Sequence, residues 1–424
     1  MNKILSKVLY LRLHINCLSI NMKQRYYSLD VFRGATVAFM IMVNNPGSWN
    51  SIFAPLGHAA WHGCTPTDLV FPFFLFAVGN AMAFVMPKLQ EAGDAVFWKK
   101  VIKRTVLIFL IGLFIMWWPF VKWEANELVF RHWVDPNDPE KGIRILGVLQ
   151  RIALAYFFAS IMAYFLKPKN IIWVSAGILF AYWGLCYFLG TGDPYSLEGW
   201  FGNAIDKQII GVAHMYKGEG VPFEPEGLAS TLPAIVQVVF GYLTGLFIRN
   251  QGQVDWLWSK VPQAKEPHFK LLAGLFVTGF ILLILGWTWS LGFPINKKIW
   301  TSSYVLYTVG LGILTIGTMI WYIEVQGVRN WVTKFFDVFG KNPLFIYVLS
   351  AVLIRFVGLF RIPNGVNADG IQQYTTAFSW YYNNVCSALP GPPELGSLFY
   401  AITYMLLMWS VGYVLDKKGI YVKV

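Results

Sequence analysis

The sequence predicts an all-α fold: a polytopic integral membrane protein with about ten transmembrane helices and both termini in the cytoplasm. Composition points there first. Of 424 residues, 56% are hydrophobic and only 13% charged, with a mean hydropathy of +0.51. A soluble domain carries nearer a quarter charged residues, so lipid must cover much of this chain. The second observation is a series of apolar stretches close to the roughly 20 residues that span a bilayer as a helix. The third is the distribution of lysine and arginine between those stretches.

The predicted spans are 29–45, 69–86, 105–121, 146–166, 171–189, 232–248, 271–291, 302–323, 343–360 and 398–415. The first is the weakest, because Asp30 and Arg33 fall in its opening turn. Most prolines lie at span ends or in connections, and Pro72, near a helix start, is tolerated there. With the N-terminus inside, the inner segments hold 22 basic residues and the outer ones nine. Cytoplasmic loops carry the excess of Lys and Arg, and this split fixes the orientation. The net charge of +12 therefore reports topology, and no nucleic-acid partner is expected.

Residues 25–424 read as one transmembrane domain, without internal repeats. Residues 1–24 read as a tail without assigned function: their apolar piece is broken by Lys7, Arg12 and His14, and Met22 offers another start. The outer segments 46–68, 122–145, 190–231 and 361–397 are long and rich in Gly, Pro and Trp, whereas the inner ones are short and basic. Specific chemistry is thus expected on the extracytoplasmic side. No N-x-S/T sequon occurs, which points to a bacterial inner membrane. The four cysteines, Cys17, Cys64, Cys186 and Cys386, are scattered. Cys64 and Cys386 share the outer side, either bridged or as two ordinary thiols.

Polar residues concentrate between the first two spans, in SLDVFRGATVAFMIMVNNPGSWNSIFAPLGHAAWHGCTPTDLVFPFFLF. His58 and His62 are four apart and would share a face if this piece were helical. Three readings stand side by side: histidines packed on Trp49 and Trp61, a metal pair, or a histidine acting as general base or acyl acceptor at a cavity mouth. No carboxylate or cysteine arrangement completes a metal site, and none is expected. Arg33, Arg151 and Arg355 lie in or at spans, where an ionisable group is costly and often functional. Each can also serve by snorkelling or pairing. Asp68 opens the second span, where a helix N-terminus favours a carboxylate; it could also orient His58 or bind an acceptor amine.

The stretch SLDVFRG…VNNPG…HAAWHGCTPTDLVFPFFLF resembles the signature of the transmembrane heparan-α-glucosaminide N-acetyltransferase family. Further matches follow in order: GVLQRIAL (147–154), FEPEGLASTLPAI (223–235), PINKKIWTSSYVL (294–306) and GKNPLFIYV (340–348). Together they cover about residues 25–420. The resemblance implies transfer of acetyl from acetyl-CoA, as donor substrate, to the amino group of a glucosamine-type sugar or glycan inside a membrane domain. The family's catalytic histidine falls on His58 and its asparagine on Asn44. His62 falls where the lysosomal enzyme has asparagine. Gln150 and Arg151 belong to the GVLQR motif and are expected to line the cavity. Asp206, His214 and Glu226 fall in family-like stretches of the third outer loop, and Lys297 and Lys298 are outer cations that could meet CoA phosphates.

The chemistry suits these residues. An ammonium must lose a proton before its nitrogen can attack a thioester, and histidine takes that proton near neutral pH. The resulting oxyanion needs a preorganised donor, and an asparagine amide is one. Trp61 offers an apolar face to a sugar ring, as does Trp49, although interfacial anchoring explains both equally well. The alternative is an amino-sugar transporter, for N-acetylglucosamine for instance, since intramembrane charge fits that class too; no pair of interrupted helices supports it. A scaffold for envelope sugar metabolism is a third reading. Lipid is an expected partner, and a homodimer is left open.

Overall fold

The computed structural model describes residues 26–124, 126–254, 267–367 and 370–422. The tail 1–24, with Cys17 and several of the inner basic residues, lies outside the described residues. The long helices are α1 (Tyr27–Asn44), α2 (Val70–Ala92, entered through a 3-10 turn at Pro66–Leu69), α3 (Asp94–Trp117), α4 (Val148–Phe165) and α5 (Pro168–Leu189). After the short α6 (Gly202–Ile209) come α7 (Leu228–Arg249), α8 (Pro267–Trp289), α9 (Ser302–Ile320), α10 (Trp331–Lys341) and α11 (Pro343–Val357). The short α12 (Ala377–Tyr381) precedes α13 (Pro393–Lys417). Every one of the ten expected stretches is helical.

Seven of these helices are long and apolar enough to cross a membrane, or eight if α10 and α11 form one broken span, bent by 79°. That is fewer than the ten expected, for local reasons. Asp30 and Arg33 interrupt α1, and Lys99, Lys100, Lys103 and Arg104 fill the first half of α3. On its own α11 has only 15 residues. The lipid-facing ring is legible in burial: α7 is 83% buried over its apolar window, whereas α5, α8 and α13 are 28% buried. Phe188 and Leu291 stand 81% and 86% exposed, which in water would waste about 25 cal/mol per Å² of apolar surface. At a bilayer boundary the same exposure costs nothing.

The core is built on α7, which packs along α2, with α4, α9 and α1 around them. Gly79 and Gly241 make the α2–α7 crossing close: a Cβ at Gly79 would fall on the Val238 carbonyl, and one at Gly241 on the Phe76 carbonyl. Small residues allow this approach where lipid supplies no hydrophobic drive between helices.

The connections expected on the outer side are not plain loops. Three antiparallel hairpins occur there, β1–β2 (Val121–Glu124 with Glu127–Phe130), β3–β4 (Val134–Asp135 with Asp138–Gly142) and β5–β6 (Ile362–Val366 with Gln372–Thr375). The first turns at Asn126, whose φ of 69° is left-handed and suits asparagine. Arg361 ties the outer two hairpins, its guanidinium 4.5 Å above Trp123 and 3.9 Å above Tyr374. Cys64, Cys186 and Cys386 are free thiols, so Cys64 and Cys386 are unbridged.

Candidate active site

The C-terminal end of α1 and the N-terminal ends of α2, α4, α7 and α9 face one cavity of about 280 Å³. Asn44, His58, Trp61, Asp68, Arg144, Tyr216, Glu219, Glu226, Lys297, Lys298 and Trp300 all contribute to its wall. The segment that carries the histidines is irregular between the 3-10 turns Ala54–Leu56 and Pro66–Leu69. It is shaped by Thr65 and Asp68, which form a reciprocal capping box at the entry to α2. Such a box satisfies donors a helix start leaves open, and here it fixes a carboxylate.

Asp68 is 1% exposed. Its Oδ2 accepts the N–H groups of Ala59 and Thr65, both at 3.0 Å. Its Oδ1 lies 2.7 Å from His58 Nδ1. A carboxylate can only accept, so Nδ1 carries the hydrogen and a neutral His58 keeps its lone pair on Nε2. The ring is half-exposed and at the cavity wall. Lys297 Nζ lies 3.4 Å from Asp68 Oδ1 and 3.1 Å from His58 Nδ1. Burial pushes the Lys297 ammonium below the ordinary lysine range, although Asp68 and Glu226 oppose this.

Asn44 ends α1, exposed at the same cavity, and its amide makes no hydrogen bond among the described residues. Trp61 is held by Nε1 donating to the Tyr195 carbonyl at 2.8 Å and by an edge contact with Phe223. Lys298 lies 5.6 Å from the Trp61 ring centre and donates to Glu219 at 2.5 Å and to the Ala60 carbonyl at 2.8 Å. Glu226 receives Arg144, which also forks onto the fully buried Glu224. Burial raises Glu226, but Arg144, with Arg151 and Lys297, holds it below the ordinary carboxylate range. Burial pushes Glu224 up to about 7 against the pull of Arg144.

Other expected residues lie elsewhere. Gln150 does not line the cavity; its amide is buried against Gly112 of α3. Arg151 sits behind the wall, its guanidinium 5.0 Å from the Trp300 ring centre and donating to the Gly227 carbonyl at 3.2 Å. The motif places both on the first turn of α4, but a helix turns about 100° per residue, and that turn presents Val148 to the cavity. Asp206 caps α7, accepting the Leu228 N–H at 2.9 Å, and burial raises its carboxyl to about 6. His214 Nδ1 is 2.7 Å from the Ile143 carbonyl, and its ring lies 4.8 Å from that of Trp133, tilted by 40°. Arg33 pairs with Asp30 at 2.7 Å and reaches the Gly340 carbonyl. It lies 11 residues, about 16 Å along α1, from Asn44. Arg355 donates to the Ile115 carbonyl at 2.8 Å, at the end of α3. Trp49 is exposed outside the cavity wall.

The two histidines part company. His62 Nδ1 lies 3.4 Å from the Asn296 amide, outside the cavity wall, and burial lowers it from the ordinary histidine range against Asp193. The segment that holds them is not helical, so the shared face needed for a pair does not form. Four residues of the cavity wall were not singled out by sequence reasoning: Glu219, Trp300, Arg144 and Tyr216, whose ring lies 4.8 Å under the Arg144 guanidinium. The E-P-E spacing of Glu224 and Glu226 was the available signal for Arg144, since two adjacent buried carboxylates require a cation.

No protein-family model matches the chain. Human heparan-alpha-glucosaminide N-acetyltransferase is similar to it at 26% identity over 373 residues, covering 76% of this chain and 52% of that protein. The mouse protein of the same name is 26% identical over 379 residues, covering 78% and 54%. The chain spans about half the length of the curated relatives it matches. It is a distant relative of the heparan-alpha-glucosaminide N-acetyltransferases.

Proposed function

We propose that this protein is a membrane N-acetyltransferase. It moves acetyl from acetyl-CoA to the amino group of a glucosamine-type sugar at the extracytoplasmic face of a bacterial inner membrane, with about ten helices embedded and both termini inside. The observation that carries this reading is the Asp68–His58 pair, 2.7 Å apart, at a cavity shared with the uncommitted amide of Asn44.

In this reading Nε2 of His58 takes a proton from the acceptor amine as its nitrogen attacks the thioester carbonyl carbon. Asp68 holds the imidazolium that forms. Asn44 donates to the carbonyl oxygen as it gains negative charge. The C–S bond then breaks, and the leaving CoA thiolate recovers the proton from His58. Trp61 offers a ring face for the sugar, and in this reading the pantetheine arm enters from the cytoplasmic side through the bundle.

One feature bears on the transporter alternative. The 79° break between α10 and α11 is of the kind that marks carrier binding sites, but such sites use a matching pair in the two halves. Among the described residues this is a single bent pair. The deciding experiment incubates purified protein with acetyl-CoA and glucosamine and follows free thiol, beside uptake of labelled N-acetylglucosamine into proteoliposomes. Thiol release that His58→Ala abolishes, by 10²-fold or more, supports the enzyme. Uptake without thiol release in the wild type refutes it.

A further inference from the structure

Lys297 touches both members of the His58–Asp68 pair, and no step above uses it. Its position is built: it follows Asn296, whose side-chain oxygen accepts the backbone N–H groups of Lys298 and Ile299 at 2.7 and 3.1 Å. Asn296 N–H in turn donates to Thr301 Oγ1 at 3.0 Å. This buried turn delivers Lys297 to the pair while Lys298 turns to Glu219.

We propose that Lys297 is a positioning residue for the reaction: it pairs with Asp68 beside the imidazole, holding the tautomer that leaves Nε2 bare and repelling a second proton from the ring. The count of hydrogens and lone pairs at Nδ1 supports this pairing. Nδ1 has one hydrogen, and Asp68 Oδ1 at 2.7 Å takes it. An ammonium 3.1 Å from that nitrogen has no lone pair there to use, so its partner is Asp68 Oδ1. The imidazole thus meets both charges at once, the two lying 3.4 Å from each other, with the cation also 3.5 Å from Nε2. The other groups facing Lys297 are Cys64 from the same segment as His58 and Glu226 from the entry to α7. Glu226 is itself engaged by Arg144.

The role in turnover rests on the acetyltransferase reading; the electrostatic arrangement does not, and the test separates them. Diethyl pyrocarbonate acylates neutral imidazole, so its rate at the His58 peptide, followed by mass spectrometry from pH 5.5 to 8.5, reports ring protonation without any catalysis. In full-length protein, Lys297→Met should move that profile to higher pH by about one to three units, the scale of one charge at this range. Lys297→Arg should superimpose on the wild type. If Lys297→Met fails to fold, Lys297→Gln takes its place. Where wild type releases thiol, the methionine variant should lose turnover at pH 7 and regain it at higher pH, with KM for acetyl-CoA unchanged within about twofold. A cation that merely gripped CoA phosphates would raise KM instead. Superimposed wild-type and methionine profiles, or an arginine variant displaced as far as methionine, would overturn the proposal. A lysine-dependent profile in a protein that releases no thiol would sink the enzyme reading and leave this one standing.

Discussion

Replacing Asp68 with asparagine keeps the shape of the side chain and removes its charge, and the geometry dictates which way the amide must turn. On one side stand two backbone N–H groups, of Ala59 and Thr65, each 3.0 Å from Oδ2. The Thr65 hydroxyl, 3.1 Å away, has a shorter partner in the Gly57 carbonyl at 2.7 Å, and its single hydrogen goes there. On the other side stand His58 Nδ1 and Lys297 Nζ. The amide oxygen satisfies the two backbone donors, so the NH₂ faces His58. Nδ1–H cannot accept from it, and the ring must move its hydrogen to Nε2, the atom needed bare. The loss of one charge-assisted hydrogen bond costs folding about 1.5–3 kcal/mol. Turnover should fall about 10²- to 10⁴-fold, the range a general base supplies. Asp68→Ala should cost more in stability, because it leaves two buried backbone N–H groups unsatisfied and a partly buried cation without its partner. The assay is thiol release beside thermal unfolding in detergent. Because the two residues act as a unit, His58→Ala with Asp68→Asn should be no slower than His58→Ala alone. Activity of Asp68→Asn within about threefold of wild type, or additive losses in the double variant, would refute the reasoning.

Asn44→Ala should slow the chemical step about 10²-fold or more while acetyl-CoA still binds, since the donor matters once charge develops on the carbonyl oxygen; single-turnover rates and equilibrium binding separate the two, and weakened binding at an unchanged rate would reassign Asn44. The Cys64 thiol, pushed up to about 12 by burial and by the Asp68 charge, should be alkylated by iodoacetamide at pH 8 far more slowly than a free cysteine, whose reactivity follows its thiolate fraction; rapid labelling would show that the pocket around it is open. For orientation, single cysteines at Gly57→Cys and Asn137→Cys should react with an impermeant reagent in spheroplasts and Asp94→Cys should not. Labelling at position 94 alone would invert the topology.

The ten helical stretches were legible because an unbroken apolar run has few other outcomes in a chain this poor in charge. The number that cross the membrane was less so, because α1, α3 and α11 depend on how charge and length fall within single helices. The hairpins at 121–142 and 362–375 escaped notice: their strands run two to five residues, mostly exposed and without strict alternation. Asn44, His58, Trp61, Asp68, Glu226 and Lys298 were named from the residues and the resemblance, and one cavity brings them together. Gln150 and Arg151 were assigned to its wall from their motif, which carries no information on helical phase. The engagement of Lys297 with His58, 239 positions away in sequence, has no local signal at all.

The close crossing at Gly79 and Gly241 has a bearing on how a bulky substrate enters. Two backbones in contact without intervening side chains cannot slide without collision, so α2 and α7 move as one rigid body. Asp68 lies at the head of α2 and Glu226 just ahead of α7. Asp68 and Glu226 are therefore bolted to a common frame. Lys297, Lys298 and Trp300 ride instead on the turn between α8 and α9, outside both helices of that frame although α8 and α9 each pack against it. A widening of the mouth on this side moves the cationic rim away from Asp68 and Glu226. The resting protein then keeps its anionic floor covered by its own lysines, and only an occupant able to displace them gains the full charge of Asp68.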